Sequence, residues 1–168
     1  MNGFNIAEAG HAAVVLPPQS ISGGKTAQAF SMKNYSHASI LVAAGAEATQ
    51  DTSTLVVNLC SDANGDNAVA IPFLYYFQSA GGAGNDVLSA FNAATSAGVT
   101  LSSSNWPANG LIVIELDASQ LEASGVLLGT DTYVQVVLGA PSAADYACII
   151  AVLSGARDAC VSSPSVTV

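Results

Sequence analysis

Along most of the chain apolar residues recur at every second position in short runs, and clusters of Gly, Asn, Asp and Ser separate the runs. In residues 54–60, Leu55, Val57 and Leu59 share one face of an extended segment while Thr54, Val56, Asn58 and Cys60 take the other, which predicts a half-buried strand. Val69, Ile71, Phe73, Tyr75 and Phe77 continue the alternation on one face. Pro72 removes a ladder donor there, so an edge or bulged strand is expected. Ile112, Ile114 and Leu116 oppose Glu115 and Asp117, and Val134, Val136 and Leu138 oppose Tyr133 and Gln135, giving core faces with wet backs. From Tyr146 to Leu153 both sides are apolar, with Cys148, Ile150 and Val152 opposite Ile149 and Leu153, as in a central strand covered on both faces. Residues 86–97 alone suggest a helix, with Asp86 as its cap, Val87, Leu88, Phe91 and Ala94 near one face and Gly98 at its end.

Residues 1–30 show no sustained period. Pro17-Pro18 and Ser22-Gly23-Gly24 read as extended chain and turn, so this stretch is expected to be an extended N-terminal arm. Residues 31–168 then form one domain of seven or eight short strands and one short helix. The expected class is mainly β, a β-sandwich with a jelly-roll connection pattern. No internal repeat, linker or second domain interrupts it.

Composition changes the picture at the surface. Of the 168 residues 51 % are hydrophobic and only 9 % charged, against roughly 25 % charged in an ordinary soluble domain. Ser, Thr, Asn, Gly and Ala must cover the outside, as in Ser102-Ser103-Ser104-Asn105 and Ser79-Ala80-Gly81-Gly82-Ala83-Gly84. Such a surface suits contact with other subunits, because few charges must lose water when the contact forms. Lys25, Lys33 and Arg157 face twelve acids, for a net charge of -9. That balance disfavours direct nucleic-acid binding, which needs clustered bases to neutralise phosphates. No apolar run reaches the roughly 20 residues that span a bilayer, and Met1-Asn2-Gly3-Phe4-Asn5 lacks the basic start of a secretory signal, so a cytosol-like compartment and no membrane partner are expected.

Candidate chemistry is sparse. Gly23-Gly24-Lys25-Thr26 is like the end of a P-loop, but Gln19 stands where its first Gly is required. Asp62, Asn64 and Asp66 have the opening spacing of a calcium loop, yet Asn67 replaces its Gly and Phe73 its closing Glu, which leaves a turn between strands. Glu115 and Asp117 lie two apart on one strand face, the one acid pair available for hydrolytic chemistry. Only His11 and His37 exist for a triad, His37 is expected to pack or cap before a strand, and no Gly-x-Ser-x-Gly elbow occurs. Cys60, Cys148 and Cys160 form no Cys-x-x-Cys pair and are expected to be buried or inert thiols. No catalytic, cofactor or metal residues are assigned, and a non-enzymatic role is expected.

Three stretches carry a family resemblance: Ser31-Met32-Lys33-Asn34-Tyr35-Ser36-His37-Ala38, Val113-Ile114-Glu115-Leu116-Asp117-Ala118, and Leu153-Ser154-Gly155-Ala156-Arg157. Together they resemble small virion proteins of tailed bacteriophages, over roughly residues 4–157. Asp158 and Cys160 depart from the aromatic and small residues expected after Gly-Ala-Arg. The resemblance implies a head-associated structural protein of the decoration or cement type. Its partner would be the major capsid protein, with assembly as a trimer or dimer, on the capsid surface of a virion made in the bacterial host cytoplasm. Phe4, Ile6, Val14, Val15 and Leu16 are the expected apolar contacts of the arm with neighbouring subunits. The alternative is a receptor- or glycan-binding module of a spike or fibre, with Trp106 in Asn105-Trp106-Pro107 as its aromatic platform.

Overall fold

The computed structural model describes residues 10–46, 53–78, 87–123, 132–141, 145–156 and 166–167. They form two antiparallel sheets packed face to face, with one short helix. The strands are β1 (Gly10–Ser20), β2 (Lys25–Thr26), β3 (Phe30–Ser31), β4 (Tyr35–Ala44), β5 (Ser53–Cys60), β6 (Val69–Ala70), β7 (Phe73–Phe77), β8 (Asn92–Ala94), β9 (Val99–Leu101), β10 (Leu111–Asp117), β11 (Tyr133–Leu138) and β12 (Tyr146–Ala156). Helix α1 (Ala118–Ala123) follows β10. One sheet has the order β1-β12-β4-β10-β7-β8. The other has the order β2-β11-β5-β6, with β3 also on β11 and β9 also on β5.

The alternating runs explain these pairings. Leu55, Val57 and Leu59 of β5, Val134, Val136 and Leu138 of β11, and Ile112, Ile114 and Leu116 of β10 are each at most 1 % exposed and meet in one continuous core. Such burial contributes roughly 1.5–3 kcal/mol for each large apolar side chain. Strand β12 is interior to its sheet, bonded to β1 and β4, but only one of its two apolar sides faces the core, so the expected cover on both faces is not found. Its inner residues Ala147, Ile149, Ala151 and Leu153 are fully buried, whereas Cys148, Ile150 and Val152 are only half-buried.

Four further expectations are corrected. Residues 10–31 are part of the two sheets instead of an arm outside them: β1 is an edge strand on β12, and Val15, Leu16, Ile21, Ala27, Ala29 and Phe30 are buried. The Pro17-Pro18 pair fits there because an edge strand needs no N–H on its open side, and the register of β1 shifts at Val14/Leu16 and Leu16/Gln19.

The helix expected over 86–97 is absent from residues 87–97. Asn92–Ala94 pairs with β7 as β8, Leu88 bridges to Gln78, and Ser89 exchanges bonds with the backbone of Phe77. Val87 and Phe91, the would-be apolar face, are exposed. A helix of that length is marginal alone, and the open edge of β7 satisfies the backbone instead.

The run 69–77 is two strands in different sheets, because the chain crosses at Ile71-Pro72. Finally, Gln135 is buried on what was expected to be a wet back. The 61–68 turn covers it, and Gly65, in the left-handed region at φ +83°, lies so close that a Cβ would strike its amide.

Candidate assembly face

Residues paired across an antiparallel ladder point to the same side of the sheet, so the register assigns every side chain to the core or to the outside. On the outside of the β1-β12-β4-β10-β7-β8 sheet, Val14, Ile150, Leu41, Val113 and Tyr76 stand in one row across β1, β12, β4, β10 and β7. Beside it runs a row of Cys148, Ala43 and Leu111, and on the other side Ala12, Val152, Ser39, Glu115, Leu74 and Ala93. Val14 is 55 % exposed, whereas Val113, flanked by Leu41 and Tyr76, keeps only 8 %. The second sheet differs. Its outside carries Thr26, Ser31, Thr54, Asn58, Thr100 and Gln135 among Val56, Val137, Tyr133 and Cys60. One outer face is thus a contiguous apolar surface and the other is mixed and polar. Val14 and Tyr146 are the exposed large apolar residues of this face, Leu41, Ile150 and Tyr76 are half-buried and Val113 is buried; a contiguous apolar face of this kind is a candidate contact surface.

A polar network occupies one corner of the apolar face. The register sets His37 of β4 opposite Asp117 and Ser39 opposite Glu115, both of β10. His37 Nδ1 lies 2.9 Å from Asp117 Oδ1, and Nε2 lies 2.8 Å from Glu115 Oε2 and 3.3 Å from Ser39 Oγ. The Ser39 hydroxyl donates to Glu115 Oε2 at 2.7 Å. The acid pair singled out in the sequence is therefore brought together with a histidine and a serine that its spacing could not place. The two carboxylates grip opposite nitrogens of one ring, so they do not converge on a common point. Among the described residues no group of three or more His, Cys, Asp or Glu is placed to hold a metal ion. The hydroxyl proton is directed at the carboxylate instead of the imidazole. What the arrangement does is tie β4 to β10 by cross-strand polar contacts, with the ring and Glu115 about one-third exposed.

The other candidates resolve individually. Trp106 is 1 % exposed and its Nε1 donates to the Val42 carbonyl at 3.4 Å, so it anchors the β9–β10 loop inside the core and offers no platform to a ligand. Asp62 turns its Oδ1 inward to accept the backbone N–H groups of Asn64 and Asp66, each at 3.0 Å, which holds its carboxyl below the ordinary range. Gly23 and Gly24 make a left-handed turn into β2, and no helix follows. Burial raises the Cys60 thiol, with Asp62 and Asp66 adding to the shift, and burial raises Cys148 as well; both are free thiols. Of the five arm contacts, Val14 points outward from β1, Val15 and Leu16 are core residues, and Phe4 and Ile6, like Cys160, Arg157 and Asp158, lie outside the described residues.

A second feature is a cavity of about 380 Å³ between the β6–β7 crossover, β8 and α1, walled by Ile71, Phe73, Ala94, Leu116 and Leu121, with the Gln120 amide as its polar group. No titratable side chain lines it, so it offers shape without acid–base chemistry. Among the described residues no helix is long and apolar enough to cross a membrane. No family model, no curated protein and no solved structure matches this chain.

Proposed function

We propose that this chain is a non-enzymatic virion structural protein, a capsid decoration or cement protein that binds the shell of a tailed-phage head through the major capsid protein. The observation that carries the assembly reading is the apolar outside of one sheet beside the polar outside of the other. An asymmetry of that kind serves a molecule that is covered on one side. The charge-poor composition agrees with it, because covering such a face strips few charges of water. The strand orders β1-β12-β4-β10 and β2-β11-β5-β6 support a jelly-roll reading of the sandwich, an architecture common to capsid and lectin domains. The phage-like stretches 31–38, 113–118 and 153–157 choose the virion among these. The spike or fibre alternative loses its aromatic platform, since Trp106 is inside the core.

The test is to mix the purified chain with mature heads that lack it and count bound copies per head. A chain without residues 1–9 serves as the second arm, because β1 begins at Gly10 and its core residues Val15 and Leu16 are then kept. Saturation at a regular, lattice-sized number is expected for the full chain. No binding to heads by either form would refute the cement reading.

A further inference from the structure

We infer that the partner covering the apolar sheet face is a second copy of this chain, packed sheet on sheet. The inference deepens the assembly reading and rests on it only in that the face is there to be covered. Extent is the first support. The face runs across five strands and along β12 from Tyr146 to Ser154, which at strand spacings near 4.8 Å and rises near 3.4 Å is a footprint of about 24 by 27 Å. Two such faces bury at most about 1,300 Å², at the lower end of the roughly 1,200–2,000 Å² of a specific protein pair.

Shape and charge point the same way. The central row of Val14, Ile150, Leu41, Val113 and Tyr76 is flanked by Ala12, Ala43 and Ala93, the mixture of branched and small side chains with which two sheets interdigitate about 10 Å apart. A chain of net charge -9 repels its own copies wherever acids face each other. On this face the His, Lys, Arg, Asp and Glu side chains of the described strands are His37, Glu115 and Asp117, gathered at one corner, where the ring contacts both carboxylates. The rest is neutral, so two copies can meet there without bringing unpaired acids together. The polar corner then serves as the rim of the contact and the apolar row as its centre.

Sedimentation equilibrium on the full chain tests this, comparing wild type with Val14→Asp and Leu41→Asp. Val14 is more than half exposed on an edge strand, so its replacement leaves folding intact. Wild type is expected at twice the 16.8 kDa chain mass. Each variant is expected to dissociate at least about 100-fold more readily, because an acid without a partner would be buried in the contact. A second readout needs no disruptive change. Cys148 sits on the face and Cys60 is buried on the other sheet, so in a Cys160→Ser chain alkylation of Cys148 should slow as protein concentration rises, while that of Cys60 should not depend on it.

A wild-type monomer at all concentrations, or a dimer that neither acid weakens and in which Cys148 is no slower, overturns the inference. A monomer whose binding to heads is abolished by the same two acids also overturns it, and gives the face to the capsid. A dimer that fails to bind heads sinks the cement reading alone and leaves the sheet-to-sheet pair standing.

Discussion

Replacing Trp106 tests the placement of the β9–β10 loop most directly. The indole is 1 % exposed, lies in the core cluster and reaches across the sheet to the Val42 carbonyl at 3.4 Å. Trp106→Ala removes the largest fully buried side chain of the protein and is expected to cost about 3–5 kcal/mol in lost transfer energy and cavity formation. Set against a total stability of about 5–15 kcal/mol, that is a large share. In a chain of this length it corresponds to a fall in Tm of about 6–20 °C. Trp106→Phe keeps most of the volume and deletes the N–H donor. Because that bond is long, a further loss near 1 kcal/mol is expected from it.

The assay is urea unfolding followed by circular dichroism for all three proteins. For the wild type it is paired with emission from Trp106, the only tryptophan of the chain. Native emission should be blue-shifted and protected from acrylamide, and should move to the red in the same transition that circular dichroism reports. A native spectrum as red as the denatured one, or a cost below about 1 kcal/mol for Trp106→Ala, would refute the anchored loop and restore Trp106 as a surface residue.

Three further outcomes follow from the geometry. Gly98→Ala should destabilise clearly more than Gly23→Ala. Both glycines are left-handed, which costs an alanine about 1–2 kcal/mol, but only at Gly98 would the new methyl meet a backbone carbonyl, that of Leu55, while Gly23 opens on empty space; equal losses in urea midpoint would contradict the close approach. A double-mutant cycle between His37 and Asp117 should give a coupling of at most about 1 kcal/mol, since both side chains are partly solvated. A value above about 2 kcal/mol would show a desolvated network and call for a role beyond linking β4 to β10. The Cys60 thiol is raised above its ordinary 9.0 by burial first. Its contribution to stability is therefore complete below that value and lost as pH rises through and beyond it. Cys60→Ala should accordingly blunt the alkaline fall in urea midpoint, and an identical fall in wild type and variant would exclude the thiol as a cause.

Much of the strand layout was legible because burial on one face imposes a period of two, and the core sides of β5, β10 and β11 keep it, although Val113 and Gln135 on the opposite sides are buried as well. Tyr146–Leu153 reads as an interior strand because both of its sides are apolar, and it is bonded to β1 and β4, but the second apolar side belongs to the outer sheet face instead of a second covered layer. Residues 10–20 did not read as a strand because bulges break their period, and edge position tolerates the two prolines that argued against a ladder. The 86–97 segment carried a helical pattern that lost to the open edge of β7, a competitor no local propensity can register.

The candidate site divides in the same way. Glu115 and Asp117 lie on one face by spacing alone, whereas His37 and Ser39, about eighty positions earlier, join them only through the β4–β10 register. The apolar outer face exists in no single segment. Val14, Leu41, Val113 and Ile150 each stand on the weaker side of an alternating strand, and only pairing at 4.8 Å spacing turns them into a surface. By itself the sequence determined which residues alternate, how few charges the surface bears and where turns must fall, because these are local properties of composition and period. Strand order, register and the sheet in which each strand lies were decided by tertiary structure, because they depend on which backbone edges are left open once all the strands compete for partners.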